Sequence, residues 1–336
     1  MRIVLIGFGN LGRALVQVFA EKAEILREHE GFAPKIIAAV DDSGAAVEAR
    51  GLDMKTLVNL AKRREKIEKY PGAKAGRSAL EVIESVDADL VVELTPTNIK
   101  TGEPGLSHIR KAMEAGRHVV TSNKGPLVVA FKELDSLARK KGVEFRYSAS
   151  VGGAIPVISL ARRLMSSNEI LEIRGILNGT TNYILTRMEE ENVPLEMVVR
   201  EAQELGIAEK DPSLDIDGID TAAKLLILHN AVLGGDLKLS DVEITGIRKV
   251  TPEAIRLAKE AGYALKLVGV ARRGELEVSP KLVPLGHPLS VGGTLNAITF
   301  KLDLAREISI AGFGAGPMET VSSILADILE IHRSLG

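Results

Sequence analysis

The chain has no cysteine and no tryptophan in 336 residues, and only 4 tyrosines and 7 phenylalanines. Without cysteine there are no disulfides, no thiolate metal ligands and no thiolate nucleophile. Excess charge is equally scarce. Lys+Arg 43 against Asp+Glu 45 leave a net −2, so nothing electrostatic argues for nucleic acid or an anionic membrane as partner. No apolar run approaches the roughly 20 residues of a membrane span. The apolar start is interrupted by Gly7, Gly9 and Gly12, unlike a secretory signal. What is present, 45% hydrophobic and 26% charged residues, is the composition of a soluble folded chain long enough for two domains. A cytoplasmic enzyme is the expectation.

Residues 3–6 (IVLI) read as a buried strand. Gly7-Phe8-Gly9-Asn10-Leu11-Gly12 follows at once, and residues 13–27 carry a helical apolar stripe. Strand, G-x-G-x-x-G and helix in that order is the context of a dinucleotide-binding turn, where backbone approaches a pyrophosphate at a helix N-terminus. Methyltransferases have similar glycine loops. A second strand at 35–40 ends in Asp41-Asp42. A carboxylate there takes the ribose hydroxyls of adenosine and favours NAD over NADP, whereas the plainer reading has it cap the next loop. Asp41 lies beyond the usual ~20 residues from the glycines, so the intervening helix must be extended. Strands at 88–94 and 118–122 alternate with helices at 106–116 and 126–141, which implies a doubly wound parallel sheet. Ligands bind beyond the carboxyl ends of such strands, where Thr95 and Lys124 fall.

After Tyr147 the pattern changes to a small-residue loop at 148–156, a helix at 157–165 and a strand at 170–177. That strand delivers Asn178-Gly179-Thr180-Thr181-Asn182, whose hydroxyls, amides and free N–H groups suit a small carboxylate and equally suit helix capping. Further on, Glu209, Asp211, Asp215, Asp217 and Asp220 precede Lys224. Asp220 and Lys224, four apart, share a helical face, and residues 222–228 are otherwise apolar. A helix apolar all round is buried, and a buried lysine is costly unless paired or used. The five carboxylates need a positive partner, which points to a functional carboxylate–lysine cluster. Strands at 265–271, 276–282 and 295–302 suggest a second sheet with helices on one side. Gly312-Phe313-Gly314-Ala315-Gly316 then leads into a terminal helix.

A nicotinamide cofactor proposes hydride transfer, and aldehyde oxidation through a thiohemiacetal is excluded. Carbonyl–alcohol interconversion remains, with a cation or proton donor at the developing oxyanion. The six histidines are scattered, so Lys124 and Lys224 are the better placed donors.

The runs TSNKGPL at 121–127, GILNGTTNYI at 175–184 and DPSLDIDGIDTAAK at 211–224 resemble the homoserine dehydrogenase family. The likeness extends over nearly the whole chain, through His287-Pro288-Leu289 and Gly314-Ala315-Gly316, and is that of a short monofunctional member. It implies reduction of L-aspartate 4-semialdehyde to L-homoserine with NAD(P)H, a step toward threonine and methionine. It implies Lys224 as acid–base residue, Glu209 and Asp220 as substrate ligands with Asp215 close by, and Gly179 and Thr180 at the substrate. Lys124 matches a lysine touching cofactor and substrate; Thr95 and Gly316 match cofactor contacts. A homodimer through the second domain is also implied. The expected architecture is α/β. Residues 1–145 form a Rossmann-type domain, 146–311 an α+β catalytic and dimerisation domain with a helix-covered sheet, and 312–336 a glycine turn and helix returning to the first. Two departures from the family stand out. Ser148 replaces the usual glutamate of a sodium site, leaving the carbonyls of Val151, Gly153 and Ile155. Asp42 follows Asp41 where NADP users carry a basic or small residue, which predicts a preference for NAD. The open alternatives are another NAD(P)-dependent amino-acid or hydroxy-acid dehydrogenase, or a non-catalytic dinucleotide-binding protein.

Overall fold

The computed structural model describes residues 1–335 and divides into two compact units, Met1–Ser150 with the segment from Gly316 on, and Val151–Ala315. The first unit is built on a seven-stranded sheet: β1 (Arg2–Ile6), β2 (Lys35–Asp41), β3 (Gly44–Val47), β4 (Lys74–Ala75), β5 (Leu90–Glu93), β6 (His118–Thr121) and β7 (Phe145–Arg146), in the order β4-β3-β2-β1-β5-β6-β7. β2, β1, β5, β6 and β7 are mutually parallel. β3 and β4 run antiparallel at one edge, a departure from the wholly parallel sheet expected. The cause is local: Asp41 accepts from the Ser43 N–H (2.9 Å), tightening a turn that folds β3 back on β2.

The chain passes from β1 to β2 on one side and later to β5 on the other. The crevice between the ends of β1 and β5 is therefore the switch point at which such sheets bind ligands. The extended first helix of the sequence reading is two helices, Asn10–Glu21 and Ala23–Glu30. The first buries Leu15, Val16, Val18 and Phe19 on the sheet. The C-terminal helix Pro317–Leu335 adds Val321, Ile324, Ile328 and Ile331 to the same core, and its His332 ring packs tilted against that of Phe32, 5.0 Å between centroids. Each fully buried isoleucine is worth about 1.5–3 kcal/mol, enough to keep a segment so late in the sequence with this unit.

The expected boundary at 145/146 falls instead after Ser150. The Ser148 N–H donates to the Asp327 carboxylate (2.8 Å), and Asp327 is 1% exposed on the terminal helix, so 146–150 stay with the first unit.

The second unit carries a six-stranded sheet of β8 (Ile170–Ile176), β9 (Val242–Ile244), β10 (Tyr263–Arg272), β11 (Glu275–Pro284), β12 (Leu295–Leu302) and β13 (Glu307–Phe313), in the order β13-β12-β8-β10-β11-β9. Leu225 and Thr221 of the helix Ile219–Leu228 lie 3.2–3.5 Å from where a Cβ on Gly269 would stand, so the absent side chain lets that helix lie on β10. β13, unforeseen, is one of the two edge strands, and its alternating burial fits the alternation in Glu-Ile-Ser-Ile.

Candidate active site

In the first unit, Gly7 and Phe8 both donate to the Val40 carbonyl (2.8 and 3.1 Å). Gly7 has φ +100°, and a Cβ there would stand 2.6 Å from the Leu94 carbonyl oxygen; one on Gly12 would stand 2.2 Å from the Gly7 oxygen. Only glycine satisfies both demands. Around Gly9, by contrast, there is open space. The helix beginning at Asn10 has no side-chain cap, so its first N–H groups remain available to an anion. This cradle fits a pyrophosphate. Phe8 is 1% exposed and contributes backbone only; its ring lies 5.6 Å beneath the Arg13 guanidinium. Asn10 is exposed and Leu11 half-buried.

The two aspartates at the end of β2 divide their labour. Asp41 accepts from the Ser43 N–H and hydroxyl and from the Ile67 N–H (2.8 Å), which is the capping arrangement. Asp42 is exposed and pairs with Lys66 at 2.9 Å. Thr95 and Lys124 both stand at the carboxyl edge of the sheet. Lys124 opens the helix Lys124–Lys141, two residues earlier than the sequence suggested, because Asn123 caps it and Pro126 sits in a first turn that needs no N–H. Gly316 precedes the terminal helix with φ +129°.

In the second unit Lys224 is 8% exposed. Its ammonium donates to the Leu177 carbonyl (2.7 Å) and to Asp220 (2.7 Å). Asn178, which the sequence offered only as a loop member, ties the cluster together: its Nδ2 donates to Asp215 (2.6 Å) and Asp220 (2.9 Å) while its Oδ1 caps the next helix at Thr181 (2.8 Å). Thr180 donates to the Ile207 carbonyl (3.1 Å). A Cβ on Gly179 would stand 2.8 Å from the Thr294 oxygen. Burial raises the Asp215 carboxyl above the usual aspartate value, and the Asp220 charge adds to it. Asn178, Lys224 and Thr180 pull the other way.

The five carboxylates do not act together. Asp211 caps Ser213 (3.1 Å), Asp217 pairs with Arg248 (2.9 Å), and Glu209 is exposed on its loop. Only Asp215 and Asp220 join Lys224. The loop carrying the implied sodium ligands fits a cation poorly. Ser148 has no charge, and the Ile155 carbonyl already accepts the Val157 N–H (2.7 Å). Gly153 packs against Gly314. Among the described residues no group of three or more His, Asp or Glu could hold a metal.

A family model described as homoserine dehydrogenase matches residues 156–329, and one described as homoserine dehydrogenase, NAD binding domain, matches residues 7–148. The chain belongs to the homoserine dehydrogenase family. It is 48% identical to the homoserine dehydrogenase of Methanocaldococcus jannaschii over 99% of both chains. It is 37% identical to an NAD(+)-dependent homoserine dehydrogenase of Pseudomonas canavaninivorans, over 99% of this chain and 96% of that one. Among solved structures, a putative homoserine dehydrogenase from Archaeoglobus fulgidus superposes with TM-score 0.90 at 42% identity, covering 99% of each. A hyperthermophilic archaeal homoserine dehydrogenase in complex with NADPH superposes with TM-score 0.86 at 28% identity, covering 99% of this chain and 98% of that one. The chain is thus an NAD(P)-dependent oxidoreductase acting on a small-molecule substrate in amino-acid biosynthesis. Among the described residues no helix is long and apolar enough to cross a membrane.

Proposed function

We propose that Lys224 is the proton donor and acceptor of this homoserine dehydrogenase, with Asp220 and Asp215 as its substrate carboxylates. The supporting observation is the ammonium itself, buried to 8% exposure and held by Leu177 and Asp220. The dinucleotide, when bound, supplies or accepts the hydride at the carbonyl carbon. As the C–H bond forms in the aldehyde, the electron pair of the C=O moves to oxygen, and Lys224 gives that oxygen a proton, directly or through water. Asp215 and Asp220 hold the substrate ammonium, and Glu209, outside their cluster on an exposed loop, supplies a further carboxylate toward the substrate. Gly179 and Thr180 offer the helix-start N–H groups and a hydroxyl to the substrate carboxylate. Lys124, Thr95, Gly316 and residues 7–12 contact the cofactor. Assaying aspartate semialdehyde beside other small carbonyl compounds tests the reading. A Lys224→Ala variant that retains full activity overturns it.

NAD is the preferred cofactor in this proposal. With Asp41 committed to Ser43 and Ile67, Asp42 is the exposed carboxylate left for the adenosine ribose, and its charge, beside Lys66 at 2.9 Å, opposes a 2′-phosphate. A tenfold higher catalytic efficiency with NADPH than with NADH refutes this preference. The chain acts in the cytoplasm as a homodimer through its second unit, as the family resemblance implies. The exposed Leu282 and the cavity of about 420 Å³ that it lines with Val268, Val270 and Leu289 fit such a contact. Sedimentation as a monomer at micromolar concentration refutes the dimer.

A further inference from the structure

Glu93 ends β5 as the one charged residue of Leu-Val-Val-Glu, at 0% exposure, and no step of the reaction uses it. Burying an ionised carboxylate is expensive unless donors surround it. Here they do. Oε1 accepts the N–H (2.9 Å) and the hydroxyl of Thr95, and Oε2 accepts the Thr121 hydroxyl (3.0 Å). Thr121 Oγ1 in turn accepts the Asn123 N–H (3.0 Å). Asn123 Nδ2 donates to Thr95 Oγ1 (3.3 Å) and to the Pro96 carbonyl (3.5 Å), and its Oδ1 accepts the Gly125 N–H (3.0 Å). His108 brings Nδ1 to 3.8 Å from the carboxylate. A Cβ on Gly105 would stand 2.5 Å from Asn123 Nδ2 and 3.1 Å from Glu93 Oε2, so the neighbouring helix too is shaped around this network.

The direction of every bond follows from one fact: a carboxylate only accepts. The Thr95 hydroxyl must aim its proton at the Glu93 carboxylate, and the Thr121 hydroxyl shares its proton between that carboxylate (3.0 Å) and the Glu93 main-chain carbonyl (3.0 Å). Their lone pairs are then left for the two N–H groups of Asn123, and the Asn123 oxygen is turned to Gly125, where it caps the helix whose first residue is Lys124. One buried charge thereby sets the orientation of Thr95 and of the turn that presents Lys124.

We propose that Glu93 is a positioning residue for cofactor binding, acting through Thr95 and, by way of Thr121 and Asn123, through Lys124. This rests on the reading of Thr95 and Lys124 as cofactor contacts. The test is a fluorescence titration of NADH and NADPH in the absence of substrate, with thermal unfolding followed in parallel. Glu93→Ala is expected to weaken binding about tenfold or more, the scale of losing hydrogen bonds to a charged group. Glu93→Gln, which can still accept from Thr95, is expected to recover to within about threefold of the parent. In a Thr95→Val/Lys124→Met background, Glu93→Ala should add no more than about a twofold loss, because the groups it positions are gone. Should Glu93→Ala not fold, Thr121→Val takes its place in the cycle. Binding by Glu93→Ala within twofold of the parent overturns the inference, as does a full tenfold loss in the double-variant background. If Thr95→Val and Lys124→Met themselves bind normally, the cofactor-contact reading falls with it. If those two are weak and Glu93→Ala normal, only the positioning role falls.

Discussion

Replacing Lys224 with methionine keeps the unbranched stem and removes the charge. Two bonds of 2.7 Å disappear, one to the Leu177 carbonyl and one to Asp220. Removing one partner of a buried pair costs about 3–5 kcal/mol when the other is left uncompensated. Asp220 is not stranded, since Asn178 still donates to it (2.9 Å), so a cost of roughly 2 kcal/mol is expected. A domain stable by about 5–15 kcal/mol survives that loss with nearly all molecules folded. The chemical loss is of another order. Deleting a general acid lowers the rate by about 10²–10⁴, or about 3–5 kcal/mol of barrier. Partial unfolding cannot imitate it, because a residual stability of about 1.4 kcal/mol still leaves a tenfold excess of folded chain. The assay is kcat for aspartate semialdehyde reduction at saturating cofactor, beside a thermal scan and a cofactor titration. Expected are a loss of at least a hundredfold in kcat, a melting point lower by a few degrees, and unchanged cofactor affinity. A folded variant with kcat within tenfold of the parent refutes the role of Lys224.

Asp215→Asn should change stability in a pH-dependent sense. Burial beside Asp220 raises the folded-state pKa of Asp215, so its favourable contribution is complete below the unfolded value of about 3.9 and is lost as pH rises through the folded one. Asparagine escapes that loss, and its melting point relative to the parent should climb as pH rises above about 4; a relative fall shows the sign to be wrong. Lys266, 3% exposed and donating to Asn182 (3.0 Å) and Thr186 (3.2 Å), is pushed by burial from 10.5 down to about 8, against the opposing charges of Glu189 and Glu190. The unfolded chain therefore holds more protons between those values. The parent should gain on the order of 3 kcal/mol across that window, a gain that Lys266→Met lacks. Denaturant titrations at pH 7.5, 9 and 10.5 measure it, and parallel curves for the two proteins contradict it.

What was legible in the sequence tracks the distance along the chain over which an interaction acts. The glycine turn was readable because strand, G-x-G-x-x-G and helix are contiguous and Gly12 closes on the Gly7 carbonyl of the same turn, although Gly7 itself is held to glycine by the distant Leu94 carbonyl. The Asp220–Lys224 pair was readable because four residues of helix bring the two groups together whatever the fold. The allocation of the other carboxylates was not. Asp217 is taken by Arg248, 31 residues on. Asp41 turns to Ile67, 26 residues on. Asp215 is drawn into the cluster by Asn178 from 37 residues away. In the sequence these acids look alike, and only the partner that reaches each decides between capping, pairing and chemistry. The same holds for Glu93, whose partner Thr95 is local while Thr121 is 28 residues distant. Sequence composition thus locates the supply of negative charge around Lys224, while tertiary pairing selects which members remain to meet a substrate. A single cation contributed by a distant strand or loop can therefore convert a would-be substrate ligand into a structural tie, as Arg248 does to Asp217.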